Sequence, residues 1–242
     1  RLYDSNKISA GGQAVDRRVP VLFNSDVTVY LVRATVSDDV YFANGDGDEL
    51  WYVQEGAARL ESPCGWLDVK SGDYVWVPHS MMHRWHVASE LRAMVFEAPE
   101  GVMVPREFRN PVGQLKMDAP YTHRDFVWPE PPLAQEGPKT LLAKKGGVFS
   151  QYGLAHAPMD IVGWDGFVYP WAFAIEKYQP KTGLVHLPPT IHATFASPGF
   201  LICSFVPRLV DFHPQAIPCP YPHSSVDCDE IILYLRGNFT SR

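Results

Sequence analysis

A nine-residue pattern occurs twice in this 242-residue chain and constrains its fold more than any other feature. Asp48-Glu49-Leu50-Trp51-Tyr52-Val53-Gln54-Glu55-Gly56 and Asp229-Glu230-Ile231-Ile232-Leu233-Tyr234-Leu235-Arg236-Gly237 share one design: an acidic pair, four apolar residues, a variable position, a charged residue and a glycine. A short apolar run with carboxylates at one end and glycine at the other reads as a buried strand with ligand candidates at its mouth. Two copies predict two related units. Just before the second copy stands His223, seven residues ahead of Glu230. In one unbroken strand these two side chains would face opposite ways. They converge only if the chain turns between them, and Ser224-Ser225-Val226-Asp227 is suitable turn material, since Ser and Asp side chains bond nearby backbone groups.

One imidazole and one carboxylate are two parts of the facial triad that holds non-haem Fe(II) and leaves positions open for substrate and dioxygen. His223 and Glu230 are therefore the candidate metal ligands. The internal repeat sets Glu230, rather than Asp229, in the place of Glu49. The first copy supplies further motif residues. Glu49 with six residues between it and Gly56 is half of the first motif of the cupin β-barrels, and Gly72-Asp73-Tyr74-Val75-Trp76-Val77-Pro78-His79-Ser80-Met81-Met82-His83 resembles the second, with Ser80 where glycine is usual. Two such copies suggest an all-β bicupin of two jelly-roll barrels. Shifted back by the repeat offset, the place of His223 is taken by Phe42, so the first barrel is expected to be metal-free, with Glu49 and His83 at its rim; a vestigial metal site of Glu49 and His83, with His79 and His86 nearby, is the alternative. In the second barrel a closing histidine at similar spacing falls beyond Arg242. That barrel is expected to be truncated, and with no initiating methionine, residues are expected to be missing at both ends.

The bulk composition narrows the function classes. With 46% hydrophobic and 20% charged residues the chain is globular, and its length allows one or two domains. A net charge of −6 gives no phosphate-binding surface, so nucleic acid is not an expected partner. Cys64, Cys203, Cys219 and Cys228 form neither a CxxC pair nor a dense framework, which makes a reducing, cytoplasmic setting the default. No apolar stretch approaches the roughly 20 residues that span a bilayer, and no membrane partner is expected.

In chain order, residues 1–18 read as a polar N-terminal loop and 19–98 as the first barrel. Within the latter, Val19 to Thr35 carries two β-branched and aromatic runs, Asn44-Gly45-Asp46-Gly47 is turn material with its acidic groups solvated, and Leu60, Trp66–Val69, Tyr74–Val77 and Leu91–Phe96 continue the strands. From 99 to 138 prolines recur among charged residues; proline lacks a donor and fixes φ, so this is an extended crossing over the barrel surfaces rather than sheet. Residues 139–242 read as the second, metal-binding and truncated barrel, with strand-like runs at 147–149, 165–173 and 200–206. The Trp51, Trp66, Trp76 and Trp85 set reads as core and barrel-mouth packing.

The segments Val162-Gly163-Trp164-Asp165-Gly166, Val185-His186-Leu187-Pro188-Pro189-Thr190-Ile191-His192, Phe205-Val206-Pro207-Arg208 and Pro220 to Glu230 resemble homogentisate 1,2-dioxygenase, most closely its bacterial branch. Asn44 to Leu50 and Gly72-Asp73-Tyr74 also match, so the resemblance covers nearly the whole chain. It implies Fe(II) held by His223 and Glu230, with the third ligand beyond residue 242; animal members have one residue fewer between the histidine and the glutamate, which makes Asp229 the rival ligand, while alignment on Gly237 and the internal repeat select Glu230. It implies that His186 accepts a proton from a ring hydroxyl, which is reasonable for an imidazole, a group that titrates at about pH 6.5. Homogentisate and O2 would give maleylacetoacetate, in tyrosine and phenylalanine breakdown, within a trimer-based homo-oligomer. Phe239 stands where animal members carry a substrate-contacting tyrosine, which leaves a related aromatic acid open as substrate. Tyr221 and His192 are candidate substrate-side residues, each with packing or a surface position as the alternative, and His213 reads as structural. Two other readings stay open: a non-catalytic bicupin that binds a small aromatic acid, and a metal-dependent cupin isomerase or hydrolase.

Overall fold

The computed structural model describes residues 4–131, 135–159, 168–216 and 223–235. Among these, regular structure consists of strands and short 3-10 turns, with no α-helix. Nine strands come first: β1 (Arg18–Phe23), β2 (Thr28–Ala34), β3 (Tyr41–Asn44), β4 (Asp48–Glu55), β5 (Ala57–Ser62), β6 (Gly65–Lys70), β7 (Asp73–Val77), β8 (Arg84–Val87) and β9 (Leu91–Ala98). Then follow β10 (Phe126–Val127), β11 (Lys139–Lys145), β12 (Val148–Leu154), β13 (Trp171–Ala174), β14 (Ala193–Ser197) and β15 (Phe200–Cys203).

The strands build a jelly roll because their side chains alternate. β6 reads buried and outward in strict turn over Gly65–Lys70, as a strand with one face on a core must. β4 lies at the centre of the larger sheet, ordered β1-β2-β9-β4-β7-β13-β10, and is buried over its first six residues. The second sheet is ordered β6-β5-β8. One apolar cluster unites the two: Trp51 and Val53 of β4, Val75 and Val77 of β7 and Val95 of β9 share it with Leu60, Leu67 and Trp85. β3 joins β8 through reciprocal backbone bonds between Phe42 and His83, 2.7 and 2.9 Å. The all-β, jelly-roll reading of the sequence therefore holds.

Two motif positions have a backbone explanation. Gly56, which ends the first copy of the repeated pattern, has φ +88° in the tight link from β4 to β5. Ser80, which replaces a glycine of the motif, keeps that conformation at φ 61° and is the single non-glycine with positive φ among the described residues.

The later segments do not stack beside this jelly roll as a separate layer; several hydrogen-bond into it. β11 runs parallel to β3, from Leu141↔Tyr41 to Lys144↔Asn44, and pairs on its other side with β12. β13 pairs antiparallel with β7, Trp171 opposite Trp76. The proline-rich crossing is mostly without sheet, as expected, but it does not stay on the surface. It contributes the two-residue β10 to the edge of the large sheet and buries Phe108, Tyr121 and Phe126, with Tyr121 Oη donating to Thr194 O at 2.6 Å. Its aromatic residues carry enough apolar area to pull the chain inward between the prolines.

One expected strand is absent. The run after Glu230, Ile231 to Leu235, forms no ladder; Ile231 and Ile232 are 59% and 58% exposed, and Leu233 packs beside Val29, Leu31 and Met94. An apolar run becomes a strand only where a neighbouring strand pairs with it, and no ladder among the described residues includes this run.

Candidate functional site

The first copy of the repeat places its acidic pair at the start of β4. Far from being a solvated turn or a barrel rim, both residues are buried. Asp48 accepts hydrogen bonds from Trp76 Nε1 (2.9 Å), His79 N (2.8 Å) and Val102 N (2.8 Å), so one carboxylate joins β4, the segment after β7 and the start of the crossing. Asp46 is likewise used, accepting from the backbone N–H groups of Gly146 (2.5 Å) and Gly147 (2.9 Å). Glu49 is 1% exposed, as is His83. A buried carboxylate persists only with charged or hydrogen-bonding partners, and turn chemistry alone did not reveal that these residues had them.

The partners of Glu49 come from four places. Arg18, at the head of β1, grips it with two guanidinium nitrogens: Nη1 to Oε1, and Nη2 to Oε2 at 3.2 Å. Asn44 Nδ2 donates to Glu49 Oε1 at 2.8 Å, and Trp51 Nε1 donates to Oε2 at 3.0 Å. His83 Nε2 stands 3.9 Å from Oε2. The same Asn44 amide donates to Glu97 (2.6 Å), which in turn takes Lys144 Nζ at 2.5 Å. Two carboxylates and two cations are thus fused through one amide, which keeps the group neutral. Burial opposes the Glu49 charge, but the Arg18 guanidinium overrides it and holds the carboxyl down at about 2. Burial also lowers the His83 imidazole, against the pull of Glu49. Phe42, in the place of the second copy's histidine, packs edge-on against His83, ring centroids 5.7 Å apart.

The second copy is built differently. Chain reversal through Ser224–Asp227 does bring His223 and Glu230 together, Nε2 3.1 Å from Oε2. Both side chains are about half exposed, 51% and 50%. Among the described residues no group of three or more His, Cys, Asp or Glu side chains is arranged to hold a metal ion. The Cys203 thiol is pushed up to about 11, by burial and then by the Glu230 carboxylate, which puts Glu230 in the electrostatic neighbourhood of β15. Tyr221 lies outside the described residues, as do Gly163 to Gly166, Gly237 and Phe239.

His186 and His192 sit on one loop between β13 and β14, and that loop is laced to the segment after β15. Asp211 accepts from Gly183 N at 2.7 Å and from Arg208 Nη1 at 3.1 Å; Arg208 Nη1 also reaches Lys181 O at 3.2 Å, and His213 N bonds Leu184 O at 2.9 Å. The Gly183 N–H, ahead of Arg208 and His186, keeps the Asp211 carboxyl below its ordinary value. His192 is buried, not at the surface: its ring lies 4.4 Å from that of Phe205, and burial, then Arg208, lowers its pKa. His213 takes a local role, accepting from Gln215 N at 3.0 Å. The loop geometry therefore adds Arg208 and Asp211 to the residues singled out from the sequence. Arg18, Asn44, Glu97 and Lys144 were also missed; the one sequence signal for Arg18 was a cation at the head of an apolar run.

Comparison with known proteins bears on both regions. Residues 13–175 match the family model described as homogentisate 1,2-dioxygenase N-terminal. A provisionally named dioxygenase of Saccharolobus solfataricus is 35% identical over 227 residues, 93% of this chain and 59% of that protein. Homogentisate 1,2-dioxygenase of Bradyrhizobium diazoefficiens is 28% identical over 175 residues, 71% of this chain and 38% of the relative. The chain thus spans well under two thirds of the length of these relatives. Among solved structures, an RmlC-like cupin of Desulfovibrio desulfuricans is 14% identical with a TM-score of 0.33, covering 41% of this chain and 98% of its own. The family match runs from just ahead of Arg18 through the Glu49 centre to the end of β13, well over half of the chain, and on that ground the chain belongs to the homogentisate 1,2-dioxygenase family.

Proposed function

We propose that this chain forms the metal-binding and substrate-binding body of an Fe(II)-dependent ring-cleaving dioxygenase, acting on homogentisate or a close hydroxylated phenylacetate with O2 to give maleylacetoacetate. The observation that carries this reading, within a member of that family, is the His223–Glu230 pair, whose nitrogen and oxygen stand 3.1 Å apart. An imidazole and a carboxylate are the donor types of a facial Fe(II) site. His223 and Glu230 would hold the iron, and a third donor is not among the described residues. When bound, the iron supplies a Lewis acid for the substrate's ring oxygen and a binding position for dioxygen.

The remaining roles belong to the protein. His186, on the loop fixed by Asp211 and Arg208, takes the proton of a ring hydroxyl as the substrate binds. His192, buried beside Phe205, would lie on the substrate side and exclude water from it, and Tyr221, in a segment that resembles the family, would take the same role. In this reading residues 19–98 and 139–242 are the two barrels of a bicupin, the assembly is a trimer-based homo-oligomer, and the setting is cytoplasmic within aromatic amino-acid breakdown. No helix among the described residues is long and apolar enough to cross a membrane.

The test is anaerobic reconstitution with Fe(II) of the natural protein that carries this chain, followed by oxygen uptake on adding homogentisate. Uptake with ring opening is expected. Turnover without oxygen consumption would favour an isomerase or hydrolase, and no divalent-metal binding at all would favour a non-catalytic binding protein. His186→Ala should keep its iron and lose rate, whereas His223→Ala should lose iron; equal iron loss in both would overturn this division of roles.

A further inference from the structure

The Glu49 centre has features that an ordinary buried ion pair does not need. Its imidazole is held in one tautomer: His83 Nδ1 lies 2.9 Å from the Met81 carbonyl, which can only accept, so Nδ1 carries the proton. That leaves a lone pair on Nε2. This nitrogen is buried, has no hydrogen-bond partner among the described residues, and stands 3.9 Å from Glu49 Oε2. A backbone carbonyl on one ring nitrogen with the other left bare is how proteins prepare a histidine to bind a metal. A wholly buried carboxylate faces the same point from the other side.

The cation present there is Arg18. Its guanidinium binds both oxygens of Glu49 and is held over the rings of Phe42, 4.5 Å from the centroid, and Trp51, 5.1 Å. Phe42 occupies the position that a histidine fills in the second copy, and it supplies a flat apolar face for that guanidinium. The local charges show what Arg18 does. Glu97 is matched by Lys144, and Glu49 by Arg18. Without Arg18 the group would hold one uncompensated buried negative charge beside an unused imidazole lone pair. Asp38, which accepts from the backbone N–H groups of Val15 and Trp85, also faces this cation, and burial raises its pKa to about 6.

We infer that Arg18 is a built-in cation plug: the first jelly roll keeps a latent divalent-metal site made by Glu49 and His83, and Arg18 occupies it in place of an ion. Two changes relative to a metal-binding barrel then belong together. Loss of a histidine at position 42 removed a ligand and created the ring on which the plug rests.

The inference separates two explanations for a metal-free first barrel, missing ligand or occupied site, and variants of the full protein distinguish them. Co2+ alone serves as probe, with cobalt per chain counted by elemental analysis and its coordination read from visible absorption. Wild type sets the baseline, so that uptake at His223–Glu230 is subtracted. Phe42→His should add no cobalt while Arg18 remains. Arg18→Ala with Phe42→His should add one cobalt per chain, with a rise in melting temperature on addition of the ion, and adding Glu49→Gln to that pair should abolish both. Extra cobalt in Phe42→His alone would overturn the plug, since ligand loss would then suffice. A folded double variant that takes no extra cobalt would overturn the latent site. If the double variant does not fold unaided, refolding in Co2+ should restore the wild-type circular dichroism, and failure to do so counts equally against the inference.

Discussion

The two copies of one sequence pattern have opposite fates in this molecule. At Asp48–Gly56 the acidic residue heads a fully buried central strand, and its carboxylate is spent on Arg18, Asn44 and Trp51. At Asp229–Glu230 the carboxylate meets a single histidine, both half exposed, and the following apolar residues form no strand. The same local chemistry becomes a structural keystone where neighbours surround it and an open pair where they do not. Burial is the difference: in a dry interior a carboxylate must be neutralised by fixed partners, while at the surface water supplies much of that stabilisation.

The sharpest way to break this comparison is Glu49→Ala. It leaves the Arg18 guanidinium buried without its acid, and the expected loss is about 3–5 kcal/mol of unfolding free energy, measured in urea. A loss below about 1 kcal/mol would show that the two centres do not differ as described. The pH dependence has a defined sign. The Glu49 carboxyl is held down at about 2 in the folded chain, against an unfolded value of 4.5. Its contribution is therefore present above the unfolded value and fades as pH falls toward 2. The stability gap between wild type and Glu49→Gln should narrow across that acid window and stay constant from pH 6 to 8.

His223→Ala or Glu230→Ala should behave in the contrary way. An exposed ion pair contributes at most about 1 kcal/mol, so melting curves of the metal-free protein should scarcely move, while iron binding should be lost. A large stability loss in the absence of metal would mean that the second pair, too, is structural. The smallest expected effect concerns the first motif. Ser80 holds φ 61°, a conformation that costs an L-residue about 1–2 kcal/mol, and glycine gives back about half of that in chain entropy. Ser80→Gly should stabilise the jelly roll by about 0.5–1 kcal/mol, visible as an upward shift in melting temperature. No shift would mean that the serine's own contacts offset the strain.

Much of this was legible in the sequence. Short β-branched and aromatic runs separated by glycine-bearing turns marked the strands of the first jelly roll, because such residues fit a pleated, half-buried surface. The repeat, the turn residues between His223 and Glu230, and the place of Phe42 were also readable, since each depends on spacing along a few residues. What spacing did not reveal was where a second chain segment would arrive. Arg18 lay in what read as a polar N-terminal loop, and Lys144 sits 95 residues beyond Glu49, yet the two cations decide the electrostatics of β4. Asp211 was equally silent, and Arg208 stood in a matching segment with no sign that it would help fix the loop of His186. The crossing looked like surface by its prolines and was drawn inward by Tyr121 and Phe126.

The sequence by itself determined most strands of the first jelly roll, their turns and the candidate ligand pair, because those follow from β-branched and aromatic runs, backbone freedom and local side-chain chemistry. Only the tertiary structure decided which carboxylate is buried and which is open, because charge compensation depends on partners that meet through space. That is also why two stretches of one pattern ended as a sealed centre and a half-exposed pair.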